Sequence, residues 1–117
     1  MIPERCVDGA PRLSAEEAEA MAAALHPGWD RDGEAIVRRV RLDDFGAALA
    51  ALNAIGAVAE EQNHHPDLGI ADYRDLTVRL STHDAAGLTA NDFVVALRVD
   101  RILDGDYFQS GSMSSDS

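Results

Sequence analysis

Lysine is missing from this 117-residue sequence, whose ten basic residues are all arginines. Its absence excludes Schiff-base chemistry and lysine nucleophiles. Cysteine is almost missing as well: Cys6 stands alone, so neither an intrachain disulfide nor a cysteine-built zinc site can form, and an intracellular setting is the simplest expectation. A lone thiol with no local base is not expected to act as a nucleophile. Positive charge is outweighed throughout, with a formal net charge of −11, which repels nucleic-acid phosphates and anionic lipid surfaces. No run approaches the ~18 apolar residues that a membrane span needs, and the N-terminus lacks the basic start and apolar stretch of a secretion signal. A soluble, cytoplasmic protein is expected. Neither a glycine-rich phosphate loop nor a nucleophile elbow is found.

Hydrophobic residues make up 46% of the chain, which is ordinary for a folded protein, and the length suits one domain with a single core. Residues 1–12 are expected to be a flexible N-terminal segment, residues 13–103 the folded domain, and residues 104–117 a flexible acidic tail apart from docking by Tyr107 and Phe108.

Within the domain, Ser14 and Glu17 have the form of a capping box, and the alanine-rich sequence after them predicts a helix to about Leu25. His26-Pro27-Gly28 ends it. Trp29 opens a strand that turns at Asp32-Gly33 into Ala35 to Leu42, a β-hairpin. Asp43 or Asp44 caps the longest helix, which runs to about Gln62 with bulky apolar positions at Phe45, Leu49, Leu52 and Ile55. Its many alanines favour close core packing over a dedicated oligomer face. Pro66 drives the chain out of helical geometry, leaving His64 and His65 at the helix exit. Leu68 to Ala71 is a short strand, and Leu76, Val78 and Leu80 alternate with Thr77, Arg79 and Ser81 in another, at whose end His83 points away from the core. Thr89 then caps a last helix with Asp92 at its third position and a buried stripe of Phe93, Ala96, Leu97 and Ile102.

One ordered polar constellation crosses these elements: Glu60-x3-His64-His65-Pro66-x6-Tyr73-x9-His83-x8-Asp92. Three of the four histidines fall inside it. Histidine both gives and takes protons near neutral pH, so this window points to proton transfer, with helix exit, strand end and helix start converging on one rim. Taken singly, each residue has a plainer explanation. Asp92 suits any helix start, Glu60 any solvated face, Trp29 and Tyr73 any core or rim, and His83 any strand surface. A zinc site is the sharper rival, but the helical i, i+4 histidine spacing is absent and adjacent histidines chelate one ion awkwardly.

Glu60-x3-His64-His65-Pro66, Tyr73, His83 and Asp92 together resemble the signature of the pterin-4a-carbinolamine dehydratase family. Trp29, Asp44-Phe45, Asn63, Ser81-Thr82-His83 and Gly87-Leu88-Thr89 extend the resemblance over residues 13 to 103. It implies an α+β, two-layer fold, a four-stranded antiparallel sheet covered on one face by helices in the order α-β-β-α-β-β-α, in dimers or tetramers. It implies removal of water from a 4a-hydroxytetrahydropterin, giving the quinonoid dihydropterin, with no metal or organic cofactor. On that reading His64, His65 and His83 handle protons and contact the ring, Asp92 orients or charges a histidine, and Glu60, Pro66, Tyr73 and Trp29 contact or shape the substrate site. Relatives of this family also serve as noncatalytic protein partners or assembly factors, a second role compatible with the same fold. Asp67-Leu68 stands where animal members carry an aromatic nearby, and the long helix is poorer in aromatics, so the resemblance does not carry over those members' pterin side-chain contacts or oligomer interface.

Overall fold

The computed structural model describes residues 1–104; the acidic tail beyond them, with the expected docking of Tyr107 and Phe108, lies outside the described residues. Eight elements follow in chain order: α1 (Ala15–Ala22), β1 (Trp29–Asp32), β2 (Ala35–Arg41), α2 (Phe45–Gln62), β3 (Asp67–Ala71), β4 (Asp75–Leu80), a single 3₁₀ turn at His83–Ala85, and α3 (Ala90–Leu103). All strands pair antiparallel in the order β1-β2-β4-β3. The two-layer α-β-β-α-β-β-α architecture expected from the sequence is present.

Local chemistry sets most boundaries. The Ser14 hydroxyl accepts from the Glu17 amide while the Glu17 carboxylate accepts from the Ser14 amide, at 3.1 and 2.8 Å, satisfying two donors that a helix start leaves open. The helix closes at Ala22, earlier than the expected Leu25. Gly33, at φ +62, takes the left-handed turn of the β1–β2 hairpin, a conformation that costs glycine little. Of the two candidate caps for α2 it is Asp44 that accepts from the Ala47 amide, at 2.8 Å. Arg41 closes the far end of the sheet by donating to Asp75 at 2.9 Å and to Asp72 at 3.1 Å, and the guanidinium holds the Asp75 carboxyl below the usual carboxylate range.

The core lies between one sheet face and the helices. Leu76, Val78 and Leu80 of β4 and Ile36 of β2 meet Ala51, Ile55, Phe93, Val95, Ala96 and Val99, while Thr77 and Arg79 alternate to the other side, as the strand period requires. Helix α2 departs from expectation. Its bulky residues Phe45 and Leu49 are 50% and 41% exposed, and the side turned to the core is Ala48, Ala51, Ala54, Ile55 and Ala59. Small side chains let the backbone approach α3 closely, so the alanines pack the core and two larger residues are left outside. Helix α3 is buried on more than its expected stripe, since Val94, Val95 and Val99 are covered together with Phe93, Ala96 and Ile102, while Leu97 is half-buried.

Part of that cover comes from residues 1–12. Asn91 grips Val7 twice, accepting from its amide at 3.0 Å and donating to its carbonyl at 2.8 Å. The Gln62 side chain accepts from the Cys6 amide at 2.8 Å, and Arg98 donates to the Glu4 carbonyl at 2.6 Å. The segment expected to be flexible thus runs along α3 and the end of α2 as a hydrogen-bonded strap.

Candidate active site

Two features present His64. Asn63 ends α2 in the left-handed conformation, φ 52 and ψ 41, and the His64 amide returns to the Ala59 carbonyl at 3.1 Å, a helix ending that fixes the exit direction. Pro66 then prevents the helix from resuming. The exit points the His64 ring at Asp92, whose Oδ1 lies 2.7 Å from His64 Nε2. Its other oxygen, Oδ2, accepts from the Thr82 hydroxyl at 2.8 Å and the Thr89 amide at 3.0 Å. Asp92 is fully buried, and the His64 side chain is 13% exposed.

An ionised carboxylate only accepts hydrogen bonds. With Asp92 ionised, His64 therefore carries its proton on Nε2, leaving Nδ1 as the nitrogen free for exchange. Thr82 Oγ1 and Thr89 Oγ1 are 2.9 Å apart, so the carboxylate sits in a closed hydrogen-bond ring drawn from the end of the sheet and the start of α3. His65 has its own partner: its Nε2 lies 2.6 Å from Glu60 Oε2, in an exposed pair. Adjacent imidazoles cannot share one direction unaided, and here each is aimed by a different carboxylate.

A cavity of about 380 Å³ opens beside His64, with Cys6, Asp8, Asn63, Thr82 and Asp84 among its walls, a size within the range of small-molecule sites. The expected constellation is only partly gathered around it. His83 starts the 3₁₀ turn rather than ending β4, is exposed, and lines a neighbouring depression of about 220 Å³ with Ser81, Arg79 and Gly87. Thr82 borders both spaces and divides them. Tyr73 occupies the β3–β4 turn at φ 54, 56% exposed, with the Arg74 guanidinium 5.5 Å from its ring centre. That turn is at the opposite end of β4 from His83. Trp29 is also remote: its indole N–H donates to Asp100 at 2.8 Å, and Asp100 lies eight residues past Asp92, roughly 12 Å along α3.

Asp100 is the buried polar centre that sequence reasoning missed. It accepts from Arg38 Nη1 at 2.6 Å and from the His26 amide at 2.8 Å besides the Trp29 indole. A carboxylate nearly three helical turns into an amphipathic helix looks like surface, and only the arginine interleaved in β2 hinted otherwise. Thr82 was visible as part of Ser81-Thr82-His83, but no spacing gave it a role. Nothing in the sequence marked Asn91 or Gln62 as holders of the N-terminal strap.

Burial first, then the Asp92 charge, with Arg98 opposing, pushes the Cys6 thiol up to about 11; at neutral pH it is protonated and a poor nucleophile. Among the described residues no three His, Cys, Asp or Glu side chains are grouped to hold a metal ion, and no described helix is long and apolar enough to cross a membrane.

The four-stranded antiparallel sheet covered by helices, with the Asp92-held His64 beside a cavity, defines a two-layer α+β protein. The chain belongs to the pterin-4-alpha-carbinolamine dehydratase family: the family described as pterin 4 alpha carbinolamine dehydratase matches residues 11–102. It is 43% identical over 99 residues, 83% of this chain and 91% of the relative, to a protein of Paracoccus denitrificans provisionally named pterin-4-alpha-carbinolamine dehydratase. A relative with the same provisional name in Rubrobacter xylanophilus is 44% identical over 98 residues, covering 83% of this chain and 90% of its own. Among solved structures, a transcriptional coactivator/pterin dehydratase from Brucella melitensis superposes with a TM-score of 0.73 at 32% identity, covering 78% of this chain and 97% of that one. A pterin dehydratase-like protein described as a RuBisCO assembly factor in the alpha-carboxysome shares the fold, with a TM-score of 0.55 at 21% identity over 66% of this chain and 90% of its own.

Proposed function

We propose that this chain dehydrates 4a-hydroxytetrahydropterins to quinonoid dihydropterins, in the recycling of a tetrahydropterin. The observation that carries the reading is the His64–Asp92 pair at 2.7 Å on the wall of the 380 Å³ cavity, in a chain of the dehydratase family. In the reaction the C4a–O bond breaks, the departing hydroxyl takes a proton and leaves as water, and the ring nitrogen beside C4a gives up a proton as the C=N bond forms. One acid and one base suffice, and each contributes a rate factor of about 10²–10⁴. His64 is held in one tautomer by Asp92 and exchanges through Nδ1. His65, aimed by Glu60 and shaped by Pro66, is the second group at the helix exit, and His83 the third, across Thr82. Neither a metal ion nor an organic cofactor is needed for this step.

The assembly proposed for the chain is a homodimer or homotetramer, supported by Phe45 and Leu49 exposed on α2. Tyr73, Trp29, Glu60, His65 and Pro66 make no wall of the His64 cavity within the protomer, so the substrate contacts proposed for Glu60, His65 and Pro66 fall at the helix exit beside His64. A steady-state assay with freshly generated 4a-hydroxytetrahydrobiopterin tests the reading. The expected result is loss of the intermediate well above its buffer-catalysed rate, and a rate equal to that of buffer alone refutes it.

The alternative is a noncatalytic protein partner or assembly factor, favoured by the shared fold of the RuBisCO assembly factor. A stoichiometric co-purifying protein together with no pterin-dependent thermal shift would support that role.

A further inference from the structure

The His64 cavity is closed on one side by residues that precede the family match, which begins at residue 11. Residues 6–10 form that side, facing a wall that includes Asn63, His64, Thr82 and Asp84. They are held there by partners from three places. Gln62 takes the Cys6 amide at the end of α2, Asn91 closes on both backbone groups of Val7 at the start of α3, and the Leu13 amide donates to the Leu88 carbonyl at 2.8 Å just after the strap. Asn91 is buried and mimics a neighbouring strand, offering one donor and one acceptor to a single residue. A strap merely covering α3 would need only apolar contact, whereas this one is pinned at the residues where it borders the cleft.

The charge of the cleft wall points to its use. Asp8 from the strap and Asp84 from the 3₁₀ turn both line the cavity, and no arginine does. A reduced pterin presents several N–H donors and no negative charge in its ring system, which suits carboxylate acceptors. A phosphorylated side chain on the same ring would place anionic oxygens among carboxylates with no cation to offset them.

We propose that residues 6–10 are a fixed specificity wall of the pterin cleft, and that Asp8 with Asp84 restricts the substrate to pterins whose side chain carries no negative charge. The proposal rests on the dehydratase reading of the same cavity and adds the element that discriminates between substrates. Asn91 acts as a positioning residue, because its two hydrogen bonds to Val7 fix the strap.

Two measurements on the full chain test it. Cys6 is the only thiol and lines the cavity, so its alkylation by iodoacetamide at pH 9 reports occupancy beside the strap. Saturating 7,8-dihydrobiopterin is expected to slow alkylation about fivefold or more, half-maximally at the Kd measured by calorimetry, consistent with burial of an accessible side chain. An unchanged alkylation rate under saturation overturns the wall, while absence of calorimetric binding overturns the dehydratase reading and the wall with it. Dihydroneopterin is then expected to bind about tenfold or more tightly than its triphosphate, a factor of ten being about 1.4 kcal/mol. Asp8→Asn and Asp84→Asn should each narrow that ratio, and Glu19→Gln, an equal charge change on the exposed side of α1, should not. Equal affinities in the native chain, or a ratio that Glu19→Gln narrows as much as Asp8→Asn does, overturns the assigned selectivity.

Discussion

Asp92 and His64 are coupled through one oxygen, and the two residues fail in different ways when changed. His64→Ala removes the proposed proton carrier but leaves Asp92 bonded to Thr82 and Thr89. Turnover should fall about 10²–10⁴-fold with little change in thermal midpoint. Asp92→Asn puts an amide where three donors converge, so one donor faces another; turnover should fall about 10²-fold or more, and stability by about 1 kcal/mol through the weakened cap. Measuring kcat and urea midpoint for both variants separates the two, and a His64→Ala enzyme that keeps native kcat removes it from the chemistry. His83→Ala should also lower kcat without unfolding the chain, since His83 is exposed and carries no core contact.

Cys6 gives a pH prediction of its own. Its folded value is raised from the ordinary 9.0 to about 11, mainly by burial and secondarily by the Asp92 charge. The unfolded chain then releases the thiol proton before the folded chain does. Stability is unaffected by this group below pH 9 and declines between about 9 and 11. Alkylation of Cys6 in the native protein should accordingly rise with a midpoint near 11, while in urea the midpoint falls to about 9.

At the scale of elements, the residues that punctuate the chain were readable in advance because their effect is local. Ser14 with Glu17, Asp32-Gly33, Asp44, Pro66 and Thr89 each act within one turn, and each boundary falls within about three residues of where they place it. What a helix face meets is not local. The period of Phe45, Leu49, Leu52 and Ile55 marks an apolar stripe, yet of these only Ile55 is fully buried, and Ala48, Ala51, Ala54 and Ala59 make up the rest of the core side, where small side chains let α2 lie close to its neighbours. Ala51→Leu should therefore cost about 1–3 kcal/mol by overpacking, whereas Ala57→Leu, on the exposed side, should stay within about ±0.5 kcal/mol. Equal denaturant midpoints for the two variants would contradict the packing described. The Arg38–Asp100 pair was illegible for the same reason: its partners are 62 residues apart and meet only when β2 lies against α3. Arg38→Met should cost about 3–5 kcal/mol, since it leaves Asp100 buried without its cation, as judged by a urea melt.

At the scale of the molecule, the candidate site was legible as a list of residues but not as a place. Three histidines and two carboxylates sit within 33 residues of chain, and the structure divides them into His64 with Asp92, His65 with Glu60, and His83 beyond Thr82. The exposed pair Phe45 and Leu49 gives the proposed assembly a testable surface. Phe45→Ser combined with Leu49→Ser should shift the sedimentation coefficient toward that of the monomer, and an unchanged coefficient would place any subunit contact elsewhere. The strap has a bearing on how the fold is completed. Every side chain that fastens residues 4 to 7, Gln62, Asn91 and Arg98, lies 56 to 94 residues away in sequence. Contacts of such long separation carry the larger loop-closure cost and form late, after the hairpin and α2. The wall that residues 6–10 give the His64 cavity is therefore the last part of it to close.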